Sequence, residues 1–196
     1  MSTQVWYVAY GSNLDPRRLA CYLEGGRPPG GSRVNPGARD ATPPQADLPV
    51  LLPGTTYFAG QSPQWGGGTA FYDHDAPGGT AARAFLLTAG QFADVTAQEM
   101  YRTPSDGDPV EELVREPLPG GRHALGPGAY ETLVAVGERD GVPMLTFTAP
   151  HGVGDVVHTD PSPAYLATMA RGITDAHGWD DDRTAGYLAG LRRPAA

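Results

Sequence analysis

The chain has 196 residues, 40% of them hydrophobic, and a formal net charge of −8. That length and apolar content suit one domain with a sizeable core. The acidic balance excludes the clustered positive charge that a nucleic-acid backbone requires, no apolar run approaches a membrane span, and a single cysteine, Cys21, leaves no internal disulfide.

Residues 1–196 therefore read as a single domain. The opening residues lack the basic-then-apolar order of a secretory signal, so the expected setting is a reducing cytoplasm. All 14 basic residues are arginine and Ile173 is the one isoleucine, a bias that points to a GC-rich bacterial genome.

Val5 to Ala9 has the aromatic and β-branched content of a buried strand. Gly11, Ser12 and Asn13 break it: glycine has access to positive φ, and the polar pair bonds nearby backbone. A helix follows, with Asp15 suited to the N-cap, Pro16 to the first helical position and Gly25 to the stop. Cys21 falls inside it and reads as a buried, inert thiol. Such a strand–loop–helix unit aims backbone N–H groups at the space above the helix start, where an anion or carbonyl can sit.

Residues 25–48 form an irregular stretch rich in Gly and Pro, expected to pack on the surface before the strand-like "PVLLPGTTYFA". Further strands are predicted at Gly68–Tyr72 and Ala82–Leu87. Thr88 and Gln91 then make a capping box that opens a helix of about a dozen residues. After a second irregular stretch, 103–128, residues 130–149 read as a β-hairpin with Asp140-Gly141 near its tip. Ser162-Pro163 starts a helix reaching about His177 and ending at Gly178, and Asp180 caps a last one. The sum is an α+β domain.

The helix after Thr88 carries a charge on its apolar stripe. Phe92, Val95, Thr96 and Glu99 share one face at positions i, i+3, i+4 and i+7. An inward position and a helix C-terminus both work against a bare negative charge. Such a glutamate is either held by a buried arginine such as Arg83 or poised for proton transfer. Asp94 and Gln98 fall elsewhere on the helix and read as solvated. His74, His123, His151, His158 and His177 are scattered without metal-ligand spacing, Gly66-Gly67-Gly68 lacks a phosphate-loop pattern, and Ser12 lacks the surroundings of a hydrolase nucleophile.

Tyr7 to Leu14, "YVAYGSNL", resembles the hallmark Y-x-A-Y-G-S-N-L of the γ-glutamylcyclotransferase family, matching every defined position. The order "WGGGTAFYD", "ARAFLLT", "QFADVTAQE" is similar to the family's glycine-rich segment, two strands and glutamate-bearing helix, with Glu99 at the catalytic glutamate. "DPSPAYLATMARGITDAHG" resembles its Pro-Ser-Pro-x-Tyr helix start. The resemblance implies a mixed β-barrel flanked by helices, and a cavity where Tyr10, Gly11, Ser12, Asn13, Leu14 and Tyr165 hold a small γ-glutamyl substrate beside Glu99. It implies cyclisation to 5-oxoproline with release of an amine, without cofactor or metal. Two positions depart from the family: Met100 follows the glutamate where glycine is usual, and Phe147 stands where some members carry tyrosine. On the same fold, a non-catalytic binder of an amino-acid-like ligand and an amide hydrolase are the alternatives. Residues 25–64 and 103–128 are expected to wall the leaving-group side.

Overall fold

The computed structural model describes residues 3–192. Its centre is strand β1 (Gln4–Ala9), which pairs antiparallel with β5 (Gly79–Thr88) on one side and parallel with β8 (Val142–Thr148) on the other. Outside β5 lies β2 (Asp47–Pro53). Outside β8 lie β7 (Thr132–Arg139) and the short β6 (Arg122–Ala124). The result is one mixed sheet of six strands, ordered β2-β5-β1-β8-β7-β6. Strands β3 (Thr55–Ala59) and β4 (Thr69–Asp73) form a separate antiparallel ribbon.

The sheet is not closed into the expected barrel. β8 already has a strand on each side, so the ribbon attaches through side chains in place of a ladder. Thr148 Oγ1 donates to Tyr72 O at 2.8 Å and accepts from Tyr72 N at 2.9 Å. Thr80 Oγ1 lies 3.2 Å from Thr56 Oγ1 and from Gly54 O. The run "PVLLPGTTYFA" is also two strands, because Gly54 at φ +88° turns the chain between sheet and ribbon. Pro49 and Pro53 fit β2 as an edge strand, where missing donors cost least.

β1 is buried on both faces, which explains its unbroken apolar sequence. Val5, Tyr7 and Ala9 face a core shared with α1 (Pro16–Leu23), α2 (Ala89–Glu99) and α3 (Pro109–Leu113). Trp6, Val8 and Tyr10 face a second core shared with α4 (Pro163–His177) and α5 (Asp181–Leu191). The helix signals hold in detail. Asp15 Oδ1 accepts from Arg17 N at 3.1 Å, and Thr88 and Gln91 exchange both capping-box bonds at 3.1 Å. Gly178 ends α4 at φ +64°. Asp140 and Gly141, at φ +53° and +75°, give the paired positive φ of a tight hairpin turn.

Other expectations change. α3 and β6 form within the stretch read as irregular. Asp94 and Gln98 are buried, because α1, α3 and residues 25–48 cover the sides of α2 that a one-face reading leaves to water: Asp94 accepts from Arg39 N and Gln98 donates to Tyr22 O on α1. Cys21 is half-buried, its Sγ 3.4 Å from Arg17 O. Among the described residues no helix is long and apolar enough to cross a membrane.

Candidate active site

A polar cavity opens where β1 ends. The chain leaves the strand at Tyr10, passes Gly11 and makes a 3₁₀ turn over Ser12–Leu14, with Leu14 N donating to Gly11 O at 3.1 Å. Ser12 and Asn13 open this turn, so their N–H groups have no intrahelical acceptor. Gly11 has φ −107°, so positive φ is not its role. Space is: a Cβ there would lie 3.1 Å from Tyr165 Oη. From behind, α4 presses Gly172 against the turn, where an added Cβ would lie 2.4 Å from the Leu14 carbonyl carbon.

Glu99, the last residue of α2, meets this loop. Asn13 Nδ2 donates to Glu99 Oε1 and to Tyr7 Oη, each at 2.9 Å, so a single amide fixes carboxylate and loop together. Helix α2 closes with Arg102 N donating to Ala97 O at 2.8 Å and Tyr101 at φ +59°, a position glycine usually takes. That turn brings the Tyr101 ring to the cavity rim under the Arg33 guanidinium, 4.2 Å from the ring centre. Arg83, the alternative partner for Glu99, pairs with Asp47 and Asp175. Among the described residues neither Glu99 nor Arg18 takes part in an ion pair.

Around the carboxylate stands a set of tyrosines. Burial pushes the phenols of Tyr7, Tyr10, Tyr22 and Tyr130 well above the usual range, and the Glu99 charge adds to each push. Tyr165 is pushed up to about 12 by burial and then by Glu99. These groups stay protonated at neutral pH, and two of them are donors here. Tyr10 Oη gives its proton to Phe147 O at 2.8 Å and Tyr130 Oη to Ala70 O at 2.7 Å. Tyr165 stacks on Trp65 with ring centres 5.5 Å apart, and Phe147 stacks on Tyr7 at 5.2 Å.

The fold thus brings Tyr10, Gly11, Ser12, Asn13, Tyr165 and Glu99 to one cavity. Leu14 does not join them: it is fully buried in the core beneath α4. The walls come from Arg33, Ser62 and Gln64 within 25–64, whereas 103–128 contributes no lining residue and packs against α2 instead. Among the described residues no group of three or more His, Cys, Asp or Glu side chains is placed to hold a metal ion.

Sequence reasoning passed over Arg18 and Tyr22, which line the cavity from α1. The signal was present. Arg18 shares the buried side of α1 with Leu19, Tyr22 and Leu23. A cation there is the counterpart of Glu99 on α2.

These features define an α+β domain with a mixed open sheet and a polar, tyrosine-lined cavity closed by a strand-to-helix loop and one carboxylate. No family model matches the chain. Histone deacetylase 5 of Arabidopsis thaliana is 27% identical over 198 residues, taking in 94% of this chain and 30% of that protein. The chain therefore spans less than a third of the curated relative it matches. Among solved structures, a γ-glutamyl cyclotransferase superposes with TM-score 0.54 at 15% identity, covering 95% of this chain and 87% of its own. An uncharacterised human protein gives 0.54 at 16% with the same coverages. YkqA of Bacillus subtilis gives 0.55 at 17%, covering 97% of this chain and 55% of its own. The chain has the γ-glutamyl cyclotransferase fold.

Proposed function

We propose that the chain is a cyclotransferase acting on γ-glutamyl amines or dipeptides. The observation that carries this reading is the bond from Asn13 to Glu99, 2.9 Å long, which sets beside the Gly11–Asn13 loop a carboxylate that has no ion pair among the described residues.

The substrate's α-ammonium gives one proton to solvent; the free amine then attacks its own γ-carbonyl carbon as Glu99 takes a second proton from it. The new C–N bond closes a five-membered ring, and the carbonyl oxygen takes up negative charge. N–H groups of the Ser12 turn are suited to receive it, since donors fixed before the reaction need no reorganisation. The bond to the leaving amine then breaks as Glu99 returns its proton to that nitrogen, giving 5-oxoproline and the free amine. Nucleophile and electrophile belong to one molecule, so the chemistry asks only for a base, an acid and an oxyanion site. The neighbouring phenols hold the chain around the substrate without competing for the proton.

A panel of γ-glutamyl amines and dipeptides, read for product, tests this. The expected product is 5-oxoproline with an equal amount of amine. Free glutamate would instead identify a hydrolase using water, and binding without product would identify a ligand-binding member of the fold.

A further inference from the structure

A buried guanidinium costs free energy unless it is paired. Arg83, only 7% exposed, obeys this rule with two carboxylates. Arg18 is 3% exposed and does not. Its Nη2 donates to Tyr22 Oη and its Cζ lies 4.0 Å from the Tyr22 ring centre, but Nε and Nη1 are buried without a hydrogen-bond partner among the described residues.

The other orphaned atoms around the same cavity divide by kind. Gln64 Nε2 is an unpartnered donor. Asn13 Oδ1 and Gln98 Oε1 are unpartnered acceptors. Neither of these acceptors can be a misassigned amide nitrogen. Asn13 gives its nitrogen to a carboxylate and Gln98 gives its own to the carbonyls of Tyr22 and Asp94, at 2.9 and 3.2 Å. One cavity therefore holds an excess of acceptors with the Glu99 charge and an excess of donors with the Arg18 charge. Tyr22 stands between them, accepting from Arg18 and feeling the field of Glu99. Among the described residues the two groups form no ion pair with each other, and a bound molecule that would satisfy both carries an ammonium and a carboxylate close together.

We propose that Arg18 is a specificity-determining residue that holds the free α-carboxylate of the substrate while the Glu99 side receives its α-amine. This rests on the cyclotransferase reading and names what that reading leaves open: the chain selects γ-glutamyl compounds by an unmodified amino-acid head, whatever amine is leaving. Buried charge-assisted hydrogen bonds of this kind discriminate strongly, because a ligand lacking the carboxylate leaves the guanidinium bare.

The test uses one accepted γ-glutamyl compound and its α-carboxamide. Cyclised product is measured on the wild type, Arg18→Gln and Arg18→Met, and both compounds are titrated by calorimetry into Glu99→Gln. Wild type is expected to prefer the acid by about 10²-fold in kcat/KM. In either Arg18 variant the preference collapses, while the melting temperature holds or rises because no carboxylate partner is lost. A wild type that treats acid and carboxamide alike overturns the proposal without need of any variant. So does a folded Arg18 variant that keeps the preference. If no compound is cyclised but Glu99→Gln still binds the acid over the carboxamide, the reaction assigned above fails and the role of Arg18 stands. Turnover without that preference has the opposite meaning.

Discussion

Helix α2 carries two inward carboxylates five residues apart, and the molecule treats them in opposite ways. Asp94 is saturated. Its Oδ2 accepts from Arg39 N at 2.8 Å and its Oδ1 from Arg39 Nε at 2.9 Å, and the same guanidinium reaches Asp106 at 2.8 Å and Glu111 at 2.9 Å. Together they tie residues 25–48 and α3 to the helix, which is why the two irregular stretches lie where they do. Glu99 accepts from one amide, has neutral phenols around it and shares its cavity with Arg18, which forms no ion pair among the described residues. Saturated charge is architecture; charge left open inside a cavity is capacity for a ligand.

The strongest way to break this contrast is Glu99→Gln. Glutamine keeps an oxygen for the Asn13 amide but cannot take a proton at working pH. Turnover should fall by about 10²–10⁴-fold, the usual span for losing a general acid–base group. The melting temperature should stay level or rise, since a charge with no ion pair becomes a neutral amide. Single-turnover rates and thermal melts on one preparation decide it. Near wild-type turnover in a stable variant would remove Glu99 from the chemistry.

Asp94→Ala is the reciprocal case. It empties a buried site and leaves Arg39 only its outer partners, at an expected loss of about 1–3 kcal/mol in denaturant unfolding. Turnover per folded molecule should stay near wild type. A loss of rate as large as that of Glu99→Gln, with stability unchanged, would erase the distinction between the two residues.

Gly172→Ala sharpens the contrast by moving the loop that meets the open carboxylate. The added Cβ would stand 2.4 Å from the Leu14 carbonyl carbon and 2.5 Å from Asp15 N, so α4 and the turn must separate. Overpacking of this kind costs about 1–3 kcal/mol. The Asn13–Glu99 bond should loosen with it, so turnover should drop by more than melting predicts. Full activity in the destabilised protein would show that the site tolerates the shift.

Much of this was legible in the sequence for a definite reason. Caps and tight turns are local chemistry, so Asp15, the Thr88–Gln91 pair, Asp140-Gly141, Ser162 and Gly178 mark their elements wherever the chain goes. Glu99 was legible because a stripe of Phe92, Val95 and Thr96 fixes the direction of one helix face. Long-range matters were not. Whether the sheet closes depends on which strands flank β8, and no local pattern records that. Asp94 was misread because periodicity assumes one covered face, while α2 is covered nearly all round. Leu14 belongs to the matched motif yet faces the core, since a motif lists what the loop needs and not which side chains line its cavity.

Asp15 offers the smallest effect and a check on the saturated side of the contrast. It follows the site loop directly, caps α1, and pairs with Arg17 at 3.0 Å and Arg171 at 3.1 Å. Burial alone would raise its pKa, but hydrogen bonds from the side chain and backbone of Arg17, with Arg171 behind, together hold it below the unperturbed 3.8. The sign follows from linkage: a carboxyl group whose folded pKa is depressed stabilises the fold above its unfolded value, and that contribution is lost as pH falls through the folded value. Asp15→Asn keeps a competent N-cap and removes the charge, so the cost should be modest, the more so because Arg17 is largely exposed and its attraction screened. Melting temperatures of the two proteins should differ by a constant amount near neutral pH and converge as pH drops below about 3.8. Strong salt should shrink the difference without abolishing it, since the buried Asp15 side chain is screened less than its partners. A gap that stays constant down to the acid limit would mean that Asp15 acts through cap geometry alone, and the paired charges beside the loop would contribute nothing to holding it in place.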